Sequence, residues 1–210
     1  MTRPLLALLA TAGCRVAYAP AVDAHAVVVV RDVGFDGPES ALHDARRDHY
    51  LVSNMNGLPH LRDGDGFISR VAPSGRVLEL KWIDGRRDGV SLNAPKGMAV
   101  VDDTLYVADI DVVRRFDAVG GAPRGAVPIP GATFLNDVAA DRAGNVYVSD
   151  TGARIVVLVP VRSDTDAVWR ISPDGAVSRL ARGRELGQPN GLAVLEGGEL
   201  AVAALSGELY

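Results

Sequence analysis

The segment Asn136–Thr151, NDVAADRAGNVYVSDT, decides the fold, because three further segments of the chain repeat its pattern. Each opens on a polar residue, continues as a short apolar strand, turns at Gly or Asp residues, and returns as a second apolar strand. Such short alternating stretches predict β-strands joined in hairpins. The other three copies are Glu39–Asn54 (ESALHDARRDHYLVSN), Lys96–Ile110 (KGMAVVDDTLYVADI) and Asn190–Leu205 (NGLAVLEGGELAVAAL).

Further strands follow these hairpins. FISRV at 67–71 precedes a PSG turn, and VWRIS at 168–172 precedes a PDG turn. Copies that begin near residues 39, 96, 136 and 190 give a repeat of roughly 40–57 residues, the spacing of propeller blades. We therefore predict an all-β fold, a β-propeller of four-stranded antiparallel blades that stack around an axis. Residues 155–168 are expected to lengthen the third repeat as a long connection.

The first 25 residues have the layout of an export signal, with Arg3, an apolar stretch over 5–12 and then small residues. Two cleavage sites compete. Thr11–Cys14 resembles a bacterial lipobox, which would make Cys14 a lipid-bearing N-terminus, whereas AYA at 17–19 or AHA at 24–26 would serve ordinary secretion. We expect a periplasmic or extracellular protein whose partial propeller spans 26–210, with a strand in the run AVVVV at 26–30.

The composition excludes several functional classes. Of the 210 residues, 48% are hydrophobic and 23% are charged, and the net charge of −4 with scattered arginines argues against a nucleic-acid partner. No apolar run approaches the roughly 20 residues of a membrane span, so membrane contact would come only through a lipid on Cys14. The sequence has no nucleophile elbow, phosphate-binding loop, dinucleotide fingerprint or zinc-protease motif.

The phase of the repeat singles out four residues. Glu39, Lys96, Asn136 and Asn190 open the four modules, where the innermost strand of each blade begins, so we expect all four to point toward the axial channel. One carboxylate and two carboxamides supply the oxygen ligands that calcium prefers, and Lys96 could hold an anionic group of a substrate. The alternatives are local: Asn190 with Gly191 is a turn dipeptide, Asn136 could cap a turn, and Glu39 could be an ordinary surface carboxylate.

Three short motifs resemble the senescence-marker-protein/gluconolactonase superfamily of six-bladed propellers. They are PES at 38–40, FLNDV at 134–138 with GNVYVSD at 144–150, and PNGL at 189–192. The segment YVSDTGARI at 147–155 is also similar to the related NHL repeat. By this resemblance the chain holds about three and a half of six blades, so we expect it to be a piece of a longer protein that would associate or misfold alone.

The resemblance also implies a site. An axial divalent ion, usually calcium, would be bound by Glu39 and Asn190, with Asn136 as a further ligand or a substrate contact. An Asp from the blade after Asn190, beyond the end of this sequence, would be the general base. Lactonases of the superfamily carry Arg two residues before the Asn matched by Asn136, and here that residue is Phe134. Lys96 of the neighbouring repeat could compensate for it.

Two functions fit these observations. The first is an exported hydrolase that opens a small ester or lactone with the help of a divalent ion, which would polarise the carbonyl while the Asp activates water. The second is a non-catalytic propeller that binds a ligand or a protein through its rim, in the manner of NHL repeats. The loss of the Arg at Phe134 favours the second, and the three oxygen-bearing residues in one phase favour the first.

Overall fold

A computed structural model describes residues 29–156 and 159–210 of the chain. Three four-stranded antiparallel sheets and a two-stranded hairpin follow one another along the sequence, and a second small hairpin is inserted in the third sheet. The all-β propeller architecture predicted from the repeat is confirmed, with three and a half blades in the described part. Within the described residues, no helix has the length and apolar composition that crossing a bilayer would require.

The blades have the following strands. Blade 1 consists of β1 (Pro38–Asp44), β2 (His49–Asn54), β3 (Phe67–Val71) and β4 (Val77–Asp84). Blade 2 consists of β5 (Pro95–Val101), β6 (Thr104–Asp109), β7 (Val112–Asp117) and β8 (Pro123–Pro128). Blade 3 begins with β9 (Leu135–Ala140) and β10 (Val146–Asp150), continues after the inserted hairpin of β11 (Ala153–Val156) and β12 (Val159–Arg162), and ends with β13 (Ala167–Ile171) and β14 (Val177–Arg182). A 3-10 turn (Arg184–Leu186) then leads to the hairpin of β15 (Pro189–Val194) and β16 (Leu200–Ala204).

The first strand of each unit lies innermost. β1 contacts β5, β5 contacts β9, and β9 contacts β15, so the four first strands are neighbours although they are distant in the chain. This arrangement is what stacking around an axis requires, because one sheet cannot bury both of its own faces.

Apolar side chains fill the space between consecutive blades. Leu51 and Ile68 of blade 1 share one cluster with Leu105 and Phe116 of blade 2. A second cluster joins blade 2 to blade 3, where Val113 packs with residues such as Trp169. The core is therefore a series of layers between the sheets, and each blade depends on its neighbours for burial.

Two local predictions differ from the structure. The connection predicted over 155–168 contains most of a hairpin, because β11 and β12 pair between Ala153 and Arg162. The apolar run there gives both strands the composition of a hairpin. The strand predicted over 26–30 is wrong for Val29 and Val30, which have no regular secondary structure. The remainder of that run, the predicted export signal and Cys14 lie outside the described residues.

Candidate functional site

Each innermost strand contains a β-bulge at the same place. In blades 2 and 3 and in the last hairpin, two residues of the first strand stand opposite one residue of the second. In blade 1, Glu39 is the extra residue between Pro38 and Ser40. Bulges re-aim side chains and are frequent beside functional sites. The four predicted residues Glu39, Lys96, Asn136 and Asn190 all lie in these bulges, which we call the axial bulges.

The register explains why the bulges coincide. The residue before each bulge, such as Pro38 or Pro95, pairs with the last position of the second strand, which is Asn54 in blade 1 and Asp109 in blade 2. The side chains at that position accept hydrogen bonds from the loop that enters the blade: the amide of Asp36 donates to Asn54, and that of Ala94 donates to Asp109. The buried polar residue fixes the loop, and the loop fixes where the inner strand begins.

Asn136 is buried and has a fixed orientation. Its Nδ2 donates to Thr151 Oγ1 at 3.0 Å, and Thr151 Oγ1 in turn donates to the carbonyl of Pro189 at 2.7 Å. Because the amide nitrogen is engaged in this way, the amide presents Oδ1 as its acceptor. The same chain of hydrogen bonds fastens blade 3 to the residue that precedes Asn190.

Asn190 is half-buried in the last axial bulge, and its main chain is held from blade 3. Ser149 Oγ donates to the carbonyl oxygen of Asn190 at 2.6 Å, and accepts the amide N–H of Asp137 at 2.9 Å. A serine on the second strand of blade 3 therefore connects its own bulge to the next one. The side chain of Asn190 has no hydrogen-bond partner among the described residues.

Glu39 keeps an exposed surface, yet the surrounding strands displace enough water that desolvation raises its pKa from 4.5. The positive charge of Lys96 opposes this effect and the negative charge of Asp137 adds to it, which places these three charges within electrostatic reach of one another. Solvent that reaches the exposed side chain limits the size of the change.

Lys96 is enclosed by protein. Its side chain is 1% exposed, and Nζ donates to the carbonyl oxygens of Pro59 at 3.2 Å and Ala94 at 3.1 Å. The ring of Phe134 lies over the ammonium, with the ring centre 4.5 Å from Nζ. Burial lowers the pKa of Lys96 from 10.5 to about 8, against the opposing charges of Asp109 and Glu39. Substrate binding by Lys96 stays a prediction.

Asp137 is the residue of this region that the sequence reasoning passed over. It lines a cavity of about 370 Å³ between the four inner strands. Its Oδ1 accepts the amide of Val138 at 2.8 Å and its Oδ2 accepts that of Leu192 at 2.7 Å, so it joins blade 3 to the last hairpin. Burial raises its pKa, although both hydrogen bonds act in the opposite direction. The available signal was its place in the bulge, where other repeats carry glycine.

The donor set at the axial bulges fits a hard cation. Calcium takes carboxylate and amide oxygens, and Glu39, Asn136 and Asn190 carry such oxygens in one register on three inner strands. The described residues contain no group of three or more His, Cys, Asp and Glu side chains placed to hold a metal ion. A metal here would therefore depend on the two amide oxygens, on water, and on ligands outside the described residues.

Solved structures of similar fold are propellers. A gluconolactonase of Xanthomonas campestris is 21% identical with a TM-score of 0.59, covering 83% of this chain and 57% of its own. A second protein assigned as a gluconolactonase is 19% identical with a TM-score of 0.55, covering 82% and 57%. A streptogramin B lyase is 11% identical with a TM-score of 0.55, covering 85% and 55%.

These similarities define the class of protein by its fold: a β-propeller whose structural neighbours include gluconolactonases. The chain spans 55–57% of the length of these three structures. No family model and no curated protein sequence matches it. At such identities the likeness establishes the fold alone.

Proposed function

We propose that the protein is a lactonase-type propeller that hydrolyses a small ester or lactone with a calcium ion bound at the axial bulges. The observation that carries the proposal is the common register of Glu39, Asn136 and Asn190 on neighbouring inner strands. The gluconolactonases among the neighbouring structures support the choice of reaction. Export to the periplasm or beyond is part of the proposal and rests on the sequence of the first 25 residues.

The roles follow from the chemistry of each group. Glu39 would supply the anionic ligand, and the oxygens of Asn136 and Asn190 would complete this side of the site. Thr151 would keep Asn136 Oδ1 directed outward from the Nδ2 contact. Calcium bound there would polarise the carbonyl of the substrate. We do not assign Asp137 as the general base, because main-chain amides occupy both of its oxygens. The expected base lies beyond Tyr210.

Calorimetric titration with calcium tests the metal site. We expect wild-type protein to bind calcium, and Asn190→Ala and Glu39→Gln to weaken binding at least about ten-fold. Glu196→Gln removes an exposed carboxylate on the turn between β15 and β16 and is the matched control for loss of charge. If the wild type binds no divalent ion, or if Asn190→Ala binds as well as wild type, the proposal is wrong.

A non-catalytic binding propeller is the second candidate. The observation that favours it is the Phe134 ring over Lys96, since this ring occupies the place where lactonases of the similar family carry Arg and also covers the only lysine of the axial bulges. A panel of lactones and aryl esters separates the candidates. Calcium-dependent turnover above background supports the hydrolase, whereas calcium binding without any turnover supports the binding propeller.

A further inference from the structure

A small cleft lies between the loop that joins β8 to β9 and the two outer strands of blade 3. Its volume is about 70 Å³, and its walls include Pro130, Gly131, Thr165, Trp169 and the side chains of two arginines, Arg179 and Arg182. No Asp or Glu is among the residues that line it. The charged groups of the cleft are therefore all cationic.

Trp169 places a hydrogen-bond donor in this cleft without an acceptor. The residue is 6% exposed, and its Nε1 is fully buried with no partner among the described residues. Indole nitrogen can only donate, and a buried donor that lacks an acceptor is unfavourable. A ligand that accepts a hydrogen bond would remove this cost.

Arg179 and Arg182 lack carboxylate partners within the described residues, and both are exposed. The guanidinium carbon of Arg179 lies 5.4 Å from the centre of the Trp169 ring, a stacked arrangement that leaves the N–H edge of the guanidinium free. Blade 1 contains a similar pair, Arg70 with Trp82 at 4.9 Å, but there Arg70 is bonded to the carboxylate of Glu79. Blade 3 has the cationic stack without the anion.

We propose that this cleft binds a small oxyanion, a phosphate or carboxylate group. Trp169 Nε1–H would donate to one oxygen, and the guanidinium groups of Arg179 and Arg182 would neutralise the charge. A volume of about 70 Å³ corresponds to roughly two water molecules, which suits a single oxyanion group and excludes a large ligand. The inference concerns the outer strands of blade 3 and does not rest on the proposed hydrolase activity.

Indole N–H signals in the NMR spectrum of ¹⁵N-labelled protein give the test. The chain has two tryptophans, so Trp82 is an internal reference for Trp169. Titration with sodium phosphate, and separately with sodium acetate, is carried out at constant ionic strength balanced with sodium chloride. We expect the Trp169 signal to shift and saturate with at least one of the two anions while the Trp82 signal stays in place. The anion that saturates at lower concentration identifies the preferred group.

Variants decide whether the arginines hold the anion. Arg179→Gln and Arg182→Gln are expected to weaken the saturable shift at least ten-fold, and both side chains are exposed enough to be replaced without disturbing the core. Arg142→Gln removes an exposed arginine at the turn between β9 and β10 and should leave the titration unchanged. The proposal is overturned if the Trp169 signal does not saturate with either anion, if Trp82 shifts equally, or if Arg142→Gln has the same effect as the two cleft variants.

Discussion

The ammonium of Lys96 lies 4.5 Å from the centre of the Phe134 ring, so a charge from blade 2 is covered by an aromatic side chain from the loop that enters blade 3. The other contacts of Nζ are two carbonyl oxygens, and no carboxylate forms an ion pair with it among the described residues. The charge is held by dipoles and a ring alone, which is a costly environment for a cation. The lowered pKa of about 8 expresses this cost.

Lys96 should make stability depend on alkaline pH. The pKa of about 8 in the folded protein lies below the ordinary 10.5, so the unfolded state binds more protons between these values. The free energy of unfolding contributed by Lys96 is therefore lowest below pH 8 and rises by up to about 3 kcal/mol toward pH 10.5. We expect urea unfolding to show wild type gaining stability relative to Lys96→Met across this range.

Lys81→Met is the matched control for this series, because Lys81 Nζ lies 4.8 Å from the Phe67 ring but its side chain is only half-buried. It separates loss of a lysine–aromatic contact from loss of a buried charge. Stability curves for wild type and Lys96→Met that run parallel from pH 7 to pH 10.5 would contradict the prediction.

Two glycines in equivalent bulges should respond oppositely to alanine. A Cβ on Gly97 would come within 2.0 Å of Asp137 Oδ1 and 2.5 Å of Asp137 Cα, whereas a Cβ on Gly191 would meet only Ala203, at 3.8 Å. We expect Gly97→Ala to destabilise the protein by about 2 kcal/mol or more and Gly191→Ala by less than about 1 kcal/mol. Thermal unfolding of the two variants measures the difference, and equal losses would show that the contact with Asp137 is not limiting.

Asp150 should tolerate amide but not methyl replacement. It is fully buried, and its carboxylate accepts the amides of Thr133, Phe134 and Gly152 at 3.0–3.1 Å. Burial raises its pKa despite these bonds, so a neutral acceptor costs little extra. We expect Asp150→Ala to lose about 3 kcal/mol or more, since it leaves these donors unpaired, and Asp150→Asn to lose about 1–2 kcal/mol.

Blade 1 provides a natural precedent for that substitution, because Asn54 occupies the equivalent register position and its Oδ1 accepts the amide of Asp36. Chemical denaturation of both variants measures the loss. Equal destabilisation by Asn and Ala would mean that the negative charge, and not the hydrogen bonding, stabilises the loop.

Calcium affinity should fall with acidification earlier than for an ordinary glutamate ligand. Desolvation raises the pKa of Glu39 above 4.5, and its protonated form cannot act as an anionic ligand. Affinity should therefore be constant well above that pKa and begin to fall while the pH is still above 4.5. Calorimetry between pH 7.5 and pH 5 checks this, with Glu196→Gln following the wild-type profile. Affinity that is unchanged down to pH 4.5 would exclude Glu39 as a ligand.

The sequence by itself determined the blades and the bulge residues. Strand alternation has a period of two, and turns depend on Gly, Asp and Pro, so both are properties of a few neighbouring residues. Recurrence of one module then set the phase, and residues such as Glu39 and Asn190 could be placed at the starts of inner strands without any knowledge of their contacts. The hairpin of β11 and β12 was missed because it interrupts that recurrence.

Only the tertiary structure decided what surrounds each of these residues. Lys96 is enclosed by Phe134 and by the carbonyl of Pro59, which belong to two other blades or their loops, and Asp137 receives an amide from the last hairpin. Local sequence cannot encode such contacts, because they arise when separately formed sheets stack around the axis. Burial, and with it the pKa of a charge, is therefore a property of the assembled blades.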